Sequence, residues 1–208
     1  MTERIKNKTY TRTRMARIEI IMGCMFSGKS TELIRRLKRH RAINESILVI
    51  NSAKDTRSEK EVIKTHNSDT FDCVKVSDLS LLESIDVNVV AIDEAQFFTG
   101  LREFVQRVGP HVKRIILAGL DGDFLQRPFG EMFDIIPLAD EVLKLHALCM
   151  VCNDGTLAPF TRRFCEDTTT QELVGDHDMY KAVCRECLDK CVYRDRIRKS
   201  LFECPNNR

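Results

Sequence analysis

The sequence predicts an α/β fold, in which helices cover both faces of a parallel sheet and a small cysteine-rich appendage follows. Three observations predict it. Short apolar runs recur along the first two-thirds of the chain with helical patterns between them. Those runs are continuous rather than alternating, as strands buried on both faces require. Seven of the nine cysteines fall after residue 145, where the periodicity weakens. With 208 residues, 43% apolar and 31% charged, the chain can bury one full core with an appendage; fibrous and wholly disordered classes are excluded. Its 33 basic and 31 acidic residues leave a net charge of +2, so no bulk field draws it to nucleic acid or membrane.

The first strand is Arg17-Ile18-Glu19-Ile20-Ile21-Met22, stopped by Gly23. Ser30 reads as the cap of a helix from Thr31 to about Ala42, with Leu33, Ile34 and Leu37 on one face and Arg35, Arg36, Lys38 and Arg39 around the rest. Further buried-type strands are expected at Ile47–Ile50, Val87–Ile92 and Ile115–Ala118, the last ending at Gly119. A second helix spans Leu101 to Val108 and ends at Gly109-Pro110. Strand–helix repetition carries the core to about residue 145.

The expected organisation is a basic tail over 1–16, the α/β core over 17–145, a cysteine-bearing unit over 146–191 and a basic tail over 192–208. The first residues lack the apolar run of a secretory signal, and no stretch reaches the ~18 apolar residues of a membrane span. Nine cysteines without a signal point to a reducing compartment, where thiols bind metal or stay free. A cytoplasmic location, with no membrane or nucleic-acid partner, is the expectation.

Gly23-Cys24-Met25-Phe26-Ser27-Gly28-Lys29-Ser30 matches G-x-x-x-x-G-K-[ST], between a predicted strand and a predicted helix. Such a loop curls so that its N–H groups face phosphate oxygens, and the helix adds its N-terminal partial charge. Lys29 would reach the β- and γ-phosphates, and the Ser30 hydroxyl would join a Mg²⁺ shell. The matching half is an apolar strand ending in acid, Val89-Val90-Ala91-Ile92-Asp93-Glu94. Asp93 would orient Mg²⁺ and Glu94 can act as a base. The core is thus of the P-loop NTPase type.

The loop alone does not name the acceptor. Asp93-Glu94-Ala95-Gln96 also reads like a helicase box, but a helicase core needs two such lobes. Two classes remain: a small-molecule kinase, or a P-loop ATPase or switch whose zinc module binds nucleic acid or protein. In the last third, Cys149-x-x-Cys152 and Cys184-x-x-Cys187 are two knuckles suited to one closed, structural Zn²⁺ site. The intervening 153–183 segment would form a loop tied at its base, a plausible lid on a core that folds separately. Cys191 is a substitute ligand; Cys24, Cys73, Cys165 and Cys204 read as free thiols.

Taken together, these pieces carry a resemblance. Over residues 17–190 the chain resembles the type II thymidine kinases, the cytosolic and viral class. The matching segments are Met25–Leu33, Ala53-Lys54-Asp55-Thr56-Arg57, Ile92–Phe98, Gly119-Leu120-Asp121-Gly122, Arg127-Pro128-Phe129-Gly130 and both knuckles. The resemblance implies a homotetramer, a zinc-anchored lasso closing over thymidine, transfer of the ATP γ-phosphate to the 5′-hydroxyl, and feedback inhibition by dTTP. Asp55, Thr56 and Arg57 with Asp93, Glu94, Ala95 and Gln96 fall at its ATP and phosphate positions. Glu94 would be the base, Asp55 would hold the sugar hydroxyl, and Arg57 would neutralise the transferring phosphate. Phe97 and Phe124 would line the base pocket with Phe129 behind them, and Met25, Leu120 and Tyr180 would surround the thymine methyl. Gln171, Glu172, Leu173, Val174 and Gly175 resemble the segment that reads the base edge through its backbone, and Thr161 and Arg163 would close the pocket. Ala95, Leu125 and Gln171 depart from the family pattern; Gln171 is polar where an apolar residue is usual.

Overall fold

A computed structural model describes residues 15–56, 62–64, 70–164, 170–171, 175 and 179–190. Of the expected tail over 1–16, residues 1–14 lie outside the described residues, as does the whole of the expected tail over 192–208. Six strands form one parallel sheet: β1 (Arg17–Gly23), β2 (Ile47–Ser52), β5 (Val74–Val76), β6 (Val89–Ile92), β7 (Arg114–Leu120) and β8 (Glu141–Leu145). Their order across the sheet is β5-β2-β6-β7-β1-β8, with every pairing parallel. Short antiparallel hairpins stand beside it: β3 (Val62–Lys64) with β4 (Thr70–Asp72), β9 (Ala147–Leu148) with β10 (Leu157–Ala158), and β11 (Phe160–Arg163) with β12 (Tyr180–Val183). Among the described residues no helix is long and apolar enough to cross a membrane.

The period-2 alternation of side chains divides the sheet between two cores. On one face α1 (Lys29–Ala42) lays Leu33, Ile34 and Leu37 against Ile21, Val49, Ala91 and Ile116. On the other, α2 (Leu101–Val108) and α3 (Met132–Ile135) cover Ile20, Met22, Val90, Ile92 and Leu117. Each buried Leu, Ile, Val or Met among them contributes about 1.5–3 kcal/mol. This is the doubly covered sheet that the continuous apolar runs require.

Strands β2 and β7 run one or two residues past their expected ends, and other differences from expectation have a local reason. The first helix begins at Lys29 rather than Thr31, and Ser30 is not its cap. Gly28, left-handed at φ 84°, is the N-cap, so the loop turns directly into the helix with no side-chain cap. The third buried strand starts at Val89 rather than Val87, because Asn88 turns its amide and backbone N–H to Ser46. Strands β5 and β8 escape a search for continuous apolar runs since they are sheet edges; β8 alternates half-buried with exposed positions.

Near the start of β1 a buried ionic cluster ties α1 to the sheet. Glu19, 4% exposed, accepts from Arg36 Nη1 at 2.6 Å and from Arg17 Nε at 3.1 Å, and also pairs with Arg114. Arg36 reaches Glu141 on β8 and Glu32 on its own helix, both at 2.8 Å. Arg35, then Arg36, hold the Glu32 carboxyl down to about 2. The opposite end of β1 is thereby left to the phosphate-type loop.

Candidate active site at the carboxyl edge of the sheet

Gly23 ends β1, and the loop 24–28 folds over the N-terminus of α1. Phe26 is left-handed at φ 64°, a conformation that costs a non-glycine residue about 1–3 kcal/mol. Lys29 Nζ donates to the Cys24 carbonyl at 2.7 Å and Ser27 Oγ to the same oxygen at 2.8 Å, so the loop is closed on itself. Ser30 lies one residue into α1, half-buried.

On the far side of β7, β6 ends at Ile92 and delivers Asp93 and Glu94, 4% and 7% exposed. Asp93 Oδ1 accepts from the Glu94 N–H at 3.1 Å. Glu94 is left-handed (φ 51°), and Gln96 Nε2 donates to its Oε2 at 2.6 Å. The Ala95 side chain packs into the core instead of facing the cleft. Beyond β2, Asp55 is buried, accepts from Asn51 Nδ2 at 3.1 Å, and has its carbonyl held by Lys75 Nζ at 2.8 Å. Thr56 is exposed, and Arg57 lies outside the described residues.

The residues expected to form the base pocket come from the 95–97 turn, the end of β7, the loop after it and the last hairpin. Phe97 meets Phe129 edge to face, with centroids 5.7 Å apart. Gly130 (φ 60°) passes so close that an added Cβ would overlap the Gln96 carbonyl. Leu120 ends β7, half-buried. The Arg163 guanidinium lies 4.0 Å above the Phe124 ring; its Nε donates to the Tyr180 hydroxyl at 3.0 Å, and its other nitrogens bond the Thr170 and Gln171 carbonyls. Thr161 Oγ1 accepts from the Met25 N–H at 2.9 Å, which joins the hairpin to the phosphate-type loop. Gln171 Nε2 donates to Asp123 Oδ2 and to the Pro128 carbonyl at 2.9 and 3.2 Å. Gly175 is half-buried; Glu172, Leu173 and Val174 lie outside the described residues.

Sequence reasoning missed two residues that organise this edge. Asn51 is an amide at the end of an apolar strand, 1% exposed, and its signal was its place in that strand. Asp123 is 5% exposed and accepts from the backbone of Leu125 and Arg127 and from the Arg127 guanidinium; its signal was Gly122-Asp123, an Asx-type turn.

The four knuckle cysteines, 149, 152, 184 and 187, converge, all sulfurs lying within 4.8 Å of one another. Zinc at about 2.3 Å from each sulfur would space them about 3.8 Å apart. Cys152 Sγ is 3.7 Å from Cys184 Sγ and 3.4 Å from Cys187 Sγ, so the donor set fits that ion. Burial works to raise the Cys149 thiol, but the N–H groups of Cys152, Cys184 and Val151 hold it down to about 6, toward the thiolate a metal takes. Cys165, Cys191 and Cys204 lie outside the described residues, while Cys24 and Cys73 are buried and in no disulfide. The phosphate-type loop packs against this unit. Cys24 Sγ donates to the Ala158 carbonyl at 3.1 Å and shares one apolar cluster with Cys149, Cys184, Cys187 and Leu188.

A glycine-rich loop after β1, acids at the end of β6 across β7, and a switch in strand order between them define a P-loop nucleotide-dependent protein. A sequence model of the family described as thymidine kinase matches residues 16–188. The thymidine kinase of Yaba monkey tumor virus is 42% identical over 180 residues, 86% of this chain and 97% of that protein. Thymidine kinase a of Arabidopsis thaliana is 46% identical over 177 residues, 81% and 73% of the two chains. A Bacteroides fragilis thymidine kinase is 39% identical over 186 residues, 88% and 92%. The chain belongs to the thymidine kinase family.

Proposed function

We propose that this chain transfers the γ-phosphate of ATP to the 5′-hydroxyl of thymidine, with deoxyuridine as an alternative acceptor, giving dTMP for salvage into DNA synthesis. Family membership carries the reading, and the paired acids at the end of β6 opposite the glycine-rich loop support it. Glu94 takes the proton of the 5′-hydroxyl as that oxygen attacks the γ-phosphorus, and ADP leaves with the electrons of the broken P–O bond. Lys29 and the loop N–H groups hold the phosphates; Asp55 holds the sugar, and Arg57 is assigned to the transferring phosphate. Asp93 and Ser30 bring the oxygen donors that Mg²⁺ takes, and that ion supplies charge neutralisation on the phosphates when bound. Phe97 and Phe124, backed by Phe129, line the base pocket. Met25, Leu120 and Tyr180 surround its methyl group, Thr161 and Arg163 close the pocket, and the backbone of 171–175 reads the base edge.

One structural Zn²⁺ per chain on Cys149, Cys152, Cys184 and Cys187 anchors the 146–191 unit against the 17–145 core. The assembly is a homotetramer in the cytoplasm, host cytoplasm for a viral source, and dTTP inhibits it across the same cleft.

The test is acceptor dependence. Purified protein with Mg·ATP is expected to consume little ATP alone and much more with thymidine, with one dTMP formed per ADP. Hydrolysis stimulated by nucleic acid, with no nucleotide product, would instead establish the ATPase or switch reading.

A further inference from the structure

The Asp93-Glu94-Ala95-Gln96 run contains a side chain whose observed bonds are not those of a phosphate ligand. Gln96 is 2% exposed and sits in a one-turn 3-10 helix, Ala95–Phe97, between the acids and the base pocket. Its Nε2 donates to Glu94 Oε2 at 2.6 Å, and its Oε1 accepts from the Leu120 N–H at 3.0 Å. The two partners fix the orientation of the amide. An N–H can only donate and a carboxylate only accept, so the flipped amide would face oxygen with oxygen and N–H with N–H. One buried amide therefore bridges the acid at the end of β6 and the last residue of the neighbouring β7. The Gly130 backbone, where a side chain would overlap the Gln96 carbonyl, keeps this turn in place.

We propose that Gln96 is a positioning residue that acts through Glu94: it fixes the carboxylate relative to the nucleoside side of the cleft by bridging it to the Leu120 amide. This rests on the reading of Glu94 as the base. Glu94 has a strained left-handed backbone, so its side chain needs such a restraint to keep one direction. Because Leu120 borders the expected methyl pocket, the same bridge makes the aim of the base depend on the strand end that receives the nucleoside. Gln96 enters no bond-making step itself.

A double-mutant cycle with Glu94→Gln and Gln96→Met tests it, with single-turnover phosphorylation as the readout. Methionine keeps length and volume but removes both hydrogen bonds. Gln96→Met is expected to lower the chemical rate about 10²-fold, the scale of a misplacement near 1 Å, while the dissociation constants for ATP and thymidine change less than about threefold. In the Glu94→Gln background it should cost almost nothing further, because there is no base left to aim. Costs that multiply in the double variant would show a merely structural role and overturn the proposal. Full turnover in Glu94→Gln alone would overturn the base reading instead. If Gln96→Met fails to fold, Gln96→Leu, which also removes both hydrogen bonds and adds no charge beside Glu94, is put through the same cycle.

Discussion

At Glu94 a strained backbone, burial and a short hydrogen bond meet in one residue. Strain of this kind persists only where the surroundings over-determine it, and here Asp93, Gln96 and the end of β6 do so. Glu94→Gln preserves the shape and is expected to reduce turnover by about 10²–10⁴-fold, the range that general-base assistance supplies. ATP binding, measured by calorimetry, should persist because Lys29, Ser30 and Asp93 are untouched. Near-normal turnover when chemistry limits the rate would remove Glu94 from the mechanism. Individual residues of this kind were legible in the sequence when a spacing rule named them: Lys29 and Ser30 by the loop motif, Asp93 and Glu94 by the end of an apolar run. Asn51 and Asp123 were not, because their roles come from burial and from partners that no local pattern records. Glu19 was hidden for the same reason: a carboxylate inside an apolar strand becomes intelligible only with Arg36 and Arg114 beside it.

Elements were legible in proportion to how completely they are buried. Strands β1, β2, β6 and β7 occupy the middle of the sheet and read as apolar runs, broken in β1 by Glu19, whereas β5 and β8 are edges with one solvated side and read as nothing in particular. The loop after β7 shows what sequence alone could flag but not explain. Gln171, polar where the family pattern is apolar, ties its segment to that loop through Asp123 and the Pro128 carbonyl. Gln171→Val removes both bonds and leaves Asp123 satisfied by Leu125, Arg127 and the Arg127 guanidinium. At about 0.5–1.5 kcal/mol per hydrogen bond, thymidine affinity should weaken by roughly 5–100-fold. ATP affinity should stay within about twofold, since no bond of the phosphate-type loop involves this pair. Calorimetric titration of each ligand reads both numbers; an unchanged thymidine affinity would mean that the tie does not shape the pocket.

Across the whole molecule, the cysteine unit and the nucleotide edge form one packed structure. The apolar cluster that holds Cys149, Cys184 and Cys187 also contains Cys24, with Phe26 packed against it, both from the phosphate-type loop. Two hydrogen bonds, from Cys24 Sγ to Ala158 and from the Met25 N–H to Thr161, cross the same seam. A metal that fixes the four thiolates therefore also sets the position of β10 and β11, and through them the back of the loop. Had the unit been independent, losing the metal would loosen thymidine binding and leave ATP binding alone. The observed packing predicts otherwise. Cys187→Ser, or removal of the ion with a chelator, is expected to lower the melting temperature and to weaken ATP and thymidine together, each by roughly tenfold or more. A comparable loss of the two affinities follows because one seam supports both sides of the cleft, and contacts within a single network do not contribute independently. Metal analysis of the active protein should find one zinc per chain, and readdition of zinc should restore both affinities in parallel. ATP affinity unchanged in metal-free, folded protein would show that the seam transmits nothing, and the phosphate-type loop would then be held by β1 and α1 alone.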